Sequence, residues 1–282
     1  MKSLNNDVVV TCSLVLYKTE PVQLQTIIDC ITASQVIDKV YFIDNSPDDS
    51  LRSHCALVKN AEYIFNNSNL GYGSAHNIAI KHAIEIQSTY HIVLNPDIYF
   101  EKNVIHKLID FMETNQDAVY VLPRVEYPNG ELQYLCKLLP SPIDLIFRRF
   151  LPKKTMAMIK RNDRYTLKQS GYDRIMNPPC LSGCFMFMRT KALTQHQIFF
   201  DERYFMYCED FDLIRRLHRV GKTLFYPDVK IIHNHAKESY SNKKMLYAHI
   251  KSAITYFNKY GWIFDSERSI ENKKILQELG LK

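Results

Sequence analysis

Apolar and polar positions follow two rhythms along the first 120 residues. Short β-branched runs at 8–17, 40–46, 63–67 and 91–97 predict strands, and segments at about 21–33, 74–88 and 102–115 carry helical spacing between them. Strands that alternate with helices predict an α/β chain with a Rossmann-like, mostly parallel central sheet flanked by helices on both faces. Three of the strand runs end in polar residues: Tyr17, then Asp44-Asn45-Ser46, then Asn95-Pro96-Asp97. Open α/β sheets bind ligands outside the carboxyl ends of their strands, so these three ends mark one candidate site.

The rhythm breaks at about 136–170. There PSPIDLIFRRFLPKKTMAMIKRNDRYTLK interleaves basic residues with Phe, Leu, Met and Ile, which predicts an insertion bearing a basic amphipathic helix. Its core, 147–168, reads either as a solvated loop or as a contact for a membrane surface or acceptor. Compact patterning returns at CFMFMR (184–189), a buried strand. After it, Leu213, Leu217 and Val220 predict a helix that opens on Glu209, Asp210 and Asp212 and closes on Gly221 as a left-handed end. KTLFYP and KIIHNH follow as strands. MLYAHIKSAITYFNKYG closes the pattern as a helix with Leu246, Ile250, Ala253, Ile254 and Phe257 on one stripe. A catalytic unit over 1–240 with a helical extension over 241–282 is the expected organisation.

Composition narrows the chemistry. The 282 residues hold only 8 glycines, about 3% against a usual ~7%. Neither G-x-G-x-x-G nor G-x-x-x-x-G-K-[ST] occurs, so a standard dinucleotide fingerprint or Walker loop is excluded. The net charge of +6 is small for a nucleic-acid binder. No apolar run is long enough to span a bilayer as a helix, and the 7 scattered cysteines fit reduced thiols in a cytoplasmic protein.

Four constellations could carry chemistry. Asn95-Pro96-Asp97 presents a carboxylate at a strand end, suited to a divalent cation, although all three are also turn residues. Glu209, Asp210 and Asp212 crowd three carboxylates into one helical turn. Mutual repulsion raises the pKa of at least one and favours a general base, while the helix dipole offers a purely structural reason for acids there. His233 and His235 share one face of a strand. In NSNLGYGSAHN (67–77), Gly71 and Gly73 let backbone approach a ligand closely, or simply build a tight β–α turn.

In order, SLVLYKTE (13–20), FIDNSPDD (42–49), NLGYGSAHN (69–77), LNPD (94–97), LSGCFMFMR (181–189), FDERYFMYCEDFDLIRRL (200–217) and IIHNHAKESY (231–240) resemble the family 2 glycosyltransferases of the GT-A fold. The likeness is to their rhamnosyltransferase-like branch, which builds bacterial surface polysaccharides such as O-antigen. It spans 13 to about 260, and FMYCEDFDLIRR is its most specific block. The resemblance implies that Tyr17 and Glu20 line the nucleoside pocket and that Asp44 hydrogen-bonds the base. Asn69, Gly71, Gly73 and Asn95 would complete the nucleotide-sugar edge. Asp97 would be the metal-binding member of the Asp-X-Asp motif, whose first acid is Asn95 here. Asp210 would be the base with Glu209 beside it. His233 would reach the metal or the diphosphate, with His235 and Asp212 as lesser candidates.

The implied activity is transfer from a dTDP-rhamnose or UDP-hexose type donor to a hydroxyl of a growing, lipid-linked glycan, assisted by Mg2+ or Mn2+ at the cytoplasmic face of the membrane. An anionic membrane surface is the expected further partner. With one base and no second carboxylate nucleophile identified, a single displacement with inversion is the natural reading. A nucleotidyltransferase would carry a glycine-rich loop where VLYKTEP stands. A silent carbohydrate- or membrane-binding module would have no need of Asp97, Glu209 and Asp210. Nucleic-acid binding would need more charge and stacking aromatics within 147–168.

Overall fold

The computed structural model describes residues 8–146, 155–234 and 243–281. Among them, one sheet carries β1 (Val10–Leu16), β2 (Lys39–Asp44), β3 (Ala61–Phe65), β4 (Tyr90–Leu94), β5 (Ile98–Tyr99), β6 (Ala118–Glu126), β7 (Phe185–Arg189) and β8 (Lys222–His233). Its order is β3-β2-β1-β4-β7-β6-β8-β5. β1 runs parallel to β2 and β4, β2 to β3, and β6 to β8. β7 is antiparallel to β4 and β6, and β5 to β8. Because β7 is reversed, its N-terminal end lies beside the carboxyl end of β4, where Leu94 pairs with Phe185. The direction restored in β8 brings His233 to that same edge, opposite Ile98.

The helices are α1 (Pro21–Ser34), α2 (Arg52–Cys55), α3 (Tyr72–Glu85), α4 (Val104–Thr114), α5 (Pro142–Leu145), α6 (Met156–Tyr165), α7 (Thr190–His196), α8 (Glu209–His218), α9 (Lys243–Tyr260) and α10 (Ser266–Glu278). Alternate residues of β2 serve the two sheet faces. Tyr41 and Ile43 pack with Ala75 and Ala79 of α3, while Val40 and Phe42 join the main core with Leu24 and Ile27 of α1.

Two features of the second half depart from expectation. The 222–233 segment is one strand, not two, and its register against β6 jumps between Pro123 and Arg124. Pro123 and Pro227 both lack an N–H for the ladder, and the bulge absorbs that loss. Gly221 does not take a positive φ. A Cβ there would stand 2.3 Å from Val119 Cγ1 and 2.9 Å from the Asp117 carbonyl oxygen, so close approach to β6 is what this glycine permits.

The C-terminal helices share the core of the rest. Ile275, Leu276 and Leu279 belong to the main apolar cluster, and Ala253, Tyr256 and Phe257 pack with Tyr204 and Cys208 just before α8. On the α9 stripe, Ile254 faces outward and Tyr256 takes the buried place. The buried guanidinium of Arg215 donates to both oxygens of Asp265 at 2.8 and 2.6 Å and to Glu267 at 2.8 Å. These bonds tie α8 to the start of α10.

Candidate active site

The carboxyl edge of the sheet gathers the polar strand ends. Asp44 is fully buried. Its Oδ1 accepts the Ser46 N–H at 2.8 Å and its Oδ2 accepts the Tyr63 hydroxyl at 2.5 Å. Next to it, Asn45 Nδ2 donates to the Gly71 carbonyl at 3.2 Å, and Asn69 Oδ1 accepts the Gly71 N–H at 3.0 Å. The glycine turn is thus fastened to the end of β2. Gly71 has φ +88°, and a Cβ on it would meet the Phe205 carbonyl oxygen at 2.3 Å; a Cβ on Gly73 would meet the Phe200 side chain at 2.7 Å. Both glycines are required by packing against the segment that leads into α8. Tyr17 and Glu20 stand exposed where β1 gives way to α1.

Tyr72, between the two glycines, ties the turn to the centre of the edge. Its hydroxyl lies 2.9 Å from Asn95 Oδ1 and 2.9 Å from the Gly183 carbonyl oxygen. Burial and the nearby acids Glu209, Asp210 and Asp97 keep this phenol protonated well beyond the usual range. On the other side of Gly183, its N–H donates to Asp210 Oδ2 at 3.0 Å.

Asp210 and Glu209 open α8, and the chain enters that helix through two consecutive left-handed residues, Tyr207 (φ 68°) and Cys208 (φ 65°). Non-glycine residues there cost roughly 1–3 kcal/mol each and are found where surrounding structure forces them, notably at functional sites. The result is a divergent pair. Glu209 is buried, and its Oε2 has no hydrogen-bond partner among the described residues. Burial, then the charge of Asp210, raises its pKa far above the usual carboxylate range. Asp210 is also raised by burial, but Lys137 and the N–H groups of Gly183 and Phe211 work in the opposite direction. Burial thus raises both carboxyls, Glu209 the further, and Asp210 is the less buried residue of the two.

Asp97 and His233 form the second pole. Asp97 Oδ2 lies 3.3 Å from His233 Nε2, while Asp97 Oδ1 is buried without a hydrogen-bond partner among the described residues. Gln133 holds the imidazole from behind: its Oε1 is 3.0 Å from His233 Nδ1, and its Nε2 donates to the His233 carbonyl oxygen at 2.7 Å. Burial disfavours charge on His233, yet Cys184 and Asp97 outweigh it and raise the imidazole above its usual range. Among the described residues, no group of three or more His, Cys, Asp or Glu stands ready to hold a metal. The chain offers a carboxylate and an imidazole.

Residues 15–196 match the model of glycosyl transferase family 2. The chain belongs to that family. It is 27% identical over 240 residues to an N-acetylglucosaminyl-diphospho-decaprenol L-rhamnosyltransferase of Mycobacterium tuberculosis, covering 79% of this chain and 76% of the relative. It is also 27% identical over 241 residues to rhamnosyltransferase WbbL of Escherichia coli K12, covering 83% and 87%. Among solved structures, GalNAc-T7 with UDP, GalNAc and Mn2+ superposes with a TM-score of 0.61 at 14% identity. That match takes in 98% of this chain but only 55% of GalNAc-T7. Staphylococcus aureus TarS 1-349 in complex with UDP gives 0.60 at 14% identity, covering 95% and 71%. At such identity these two likenesses speak for the fold, and it is the GT-A glycosyltransferase fold that the sequence resemblance implied.

The carboxyl edge of the sheet thus brings together Asp44, Asn69, Gly71, Asn95, Asp97, Glu209, Asp210 and His233. Asp212 does not join it. That carboxylate is fully buried and accepts Lys259 Nζ at 2.5 Å, the Tyr260 hydroxyl at 2.7 Å and Arg216 Nε at 2.8 Å, so it docks α9 onto α8. His235 and the 147–154 part of the basic segment lie outside the described residues. Sequence reasoning passed over Tyr72, Gln133 and Lys137. Tyr72 stood inside a motif already singled out; Gln133 falls in a stretch with no pattern of its own, and Lys137 opens the segment expected to be an insertion.

Proposed function

We propose that this family 2 glycosyltransferase moves a sugar, L-rhamnose in the first instance, from a nucleoside-diphosphate donor to a hydroxyl of a lipid-linked glycan, with inversion. The observation that carries it is the joining of Asp210 to the Asn95–Asp97 turn through Gly183 and Tyr72, which sets a base and an anion-handling pole on one edge. The names of the two curated relatives favour the rhamnosyl donor, and that of the mycobacterial one favours an acceptor built on a lipid diphosphate. Such an acceptor would bring the chain to the cytoplasmic face of a membrane as a peripheral protein.

In the proposed step, the Asp210 carboxylate takes the acceptor hydroxyl's proton as that oxygen bonds to the anomeric carbon. The bond from the anomeric carbon to the diphosphate oxygen breaks, and the nucleoside diphosphate leaves from the opposite face. Lys137 and the N–H groups of Gly183 and Phe211 favour the carboxylate form of Asp210 that this step needs. A base so placed is worth about 10²–10⁴-fold in rate. Asp44, Asn69, Tyr17 and Glu20 border the space assigned to the nucleoside.

Asp97 and His233 would hold Mg2+ or Mn2+, which usually binds through one or two carboxylates plus substrate phosphates. The unpartnered Oδ1 of Asp97 fits that role. When bound, it supplies positive charge to the leaving diphosphate. Calorimetric titration with dTDP-rhamnose and a panel of UDP-sugars, with and without Mn2+, tests the reading. Binding of at least one donor, tightened by the metal, is expected; absence of heat with every donor would end it.

A further inference from the structure

Away from the sheet edge, α9 and α10 meet at a tight turn that presents three consecutive apolar residues. Trp262 is 39% exposed, Ile263 77% and Phe264 91%. Val22 and Leu57, by contrast, are exposed singly, which is ordinary for a protein surface. This turn is also firmly built. Gly261 has φ +104°, and a Cβ there would meet the Phe264 carbonyl oxygen at 2.2 Å. Trp262 Nε1 donates to Asn258 Oδ1 at 2.9 Å, and Arg268 donates to the Ile263 carbonyl oxygen at 2.8 Å. Asp265, the next residue, caps α10 and holds the buried Arg215. A turn fixed at both ends cannot fold its Ile and Phe inward, so their exposure is part of the design.

Charge says what covers them. Arg268 also lines a groove of about 730 Å³ between α6 and α10, together with Lys160, Arg161, Arg164 and Lys273 over a floor that includes Leu276. The acid in that lining, Asp144, is paired with Arg161. On α10, Glu267 is engaged by Arg215 and Arg219, and Glu271 by His218 and Lys274. The apolar tip therefore adjoins a patch of net positive charge, and Arg268 belongs to both. An apolar tip with an interfacial Trp beside a basic patch matches the layering of an anionic bilayer, with acyl chains beyond a negatively charged headgroup zone. Among the described residues no helix is long and apolar enough to cross a membrane, so attachment there would be at one leaflet.

We infer that the α9–α10 turn inserts Ile263 and Phe264 into the headgroup–acyl boundary of an anionic membrane, with the Arg268 groove against the lipid headgroups. This adds a surface to the reading of a membrane-borne acceptor and gives that reading a purpose, yet vesicle binding is measured without donor or acceptor. Its failure leaves sugar transfer untouched.

Trp262 is the sole tryptophan of the chain and sits at the tip, so it reports directly. Full-length protein is mixed with vesicles of phosphatidylcholine containing phosphatidylglycerol, and with phosphatidylcholine alone. The expected result is a blue shift of Trp262 emission and co-sedimentation with the anionic vesicles, weaker on the neutral ones. Lipids brominated in their acyl chains should quench the wild-type emission. Ile263→Ser with Phe264→Ser should raise the lipid needed for half-binding by about tenfold or more, with the melting temperature and donor binding retained. Unchanged emission and no quenching, or vesicle binding by the double variant equal to wild type, would overturn the inference. So would a blue shift produced by raising protein concentration without lipid, with the double variant turning a dimer into monomers, because the turn would then be a protein interface.

Discussion

Gly183 and Asp210 pack directly on one another: the glycine N–H donates to Asp210 Oδ2 at 3.0 Å, and a Cβ on Gly183 would stand 2.8 Å from the Asp210 Cβ. The proposed base is thus located by a missing side chain. Gly183→Ala should push Asp210 from its place while leaving donor binding, made elsewhere on the edge, unchanged. Misplacement by about 1 Å can cost ~10²-fold in kcat. Steady-state transfer rates beside calorimetric donor affinity check this; an alanine variant with wild-type kcat would show that the site tolerates the shift.

Gln133 should act through His233. Gln133→Leu removes the bond to Nδ1 that orients the imidazole, together with the bond to the His233 carbonyl oxygen, and loss of such an outer partner typically costs about 10–100-fold in metal affinity. The Mn2+ concentration for half-maximal transfer should rise accordingly, with the rate at saturating Mn2+ less affected. An unchanged metal requirement would remove His233 from the proposed metal pole.

The fold was legible up to β4 because each strand there alternates with a helix and ends in polar residues. β6 was not, since AVYVLPRVE contains Pro123, which argues against a central strand. Pairing of β6 with β7 stops at Val121 and its register against β8 shifts just after Pro123, which makes that proline tolerable. Asp97, Glu209, Asp210 and His233 could be picked out by type and spacing. Their partners could not: Tyr72 meets Gly183 across 111 positions and His233 meets Gln133 across 100, distances at which spacing carries no signal. Asp212 looked like its neighbours in sequence, yet two residues along a helix point to different faces, and its face meets α9.

A buried polar chain crosses the sheet beneath the site. Ser13 Oγ lies 2.8 Å from His76 Nδ1 and 2.9 Å from His91 Nε2, and His91 Nδ1 lies 2.8 Å from Thr11 Oγ1. Burial depresses the pKa of His91 to about 3, so the folded protein keeps it neutral. The unfolded chain takes up that proton near pH 6.5. Stability from this group is therefore complete above pH 6.5 and falls as pH drops from there toward 3, by roughly 1.4 kcal/mol per pH unit. Urea unfolding of wild type and His91→Gln between pH 7 and 5 checks it: the wild type should lose stability more steeply. Parallel slopes would show that His91 is not held neutral.

The Arg215–Asp265 pair ties the C-terminal helices to α8. Both side chains are nearly inaccessible, at 2% and 3% exposure. Asp265→Ala strands the buried guanidinium, a loss of about 3–5 kcal/mol. Glu267, which also receives Arg215, should keep the cost toward the lower end. The melting temperature should fall by several degrees, and transfer activity should fall with it as α8 loosens. A variant as stable as wild type would mean that α10 contributes nothing to holding α8.

The central claim is that Asp210 is the base of a displacement whose donor is held by other residues. It is tested most directly by following nucleoside-diphosphate release and glycan product with Asp210→Asn beside wild type, using dTDP-rhamnose and an N-acetylglucosaminyl-diphosphate lipid acceptor. Donor affinity is measured on the same preparations. Asp210→Asn should bind donor as wild type does and lose transfer by about 10²–10⁴-fold. Wild-type transfer by the variant, or equal loss of binding and transfer, would contradict the claim.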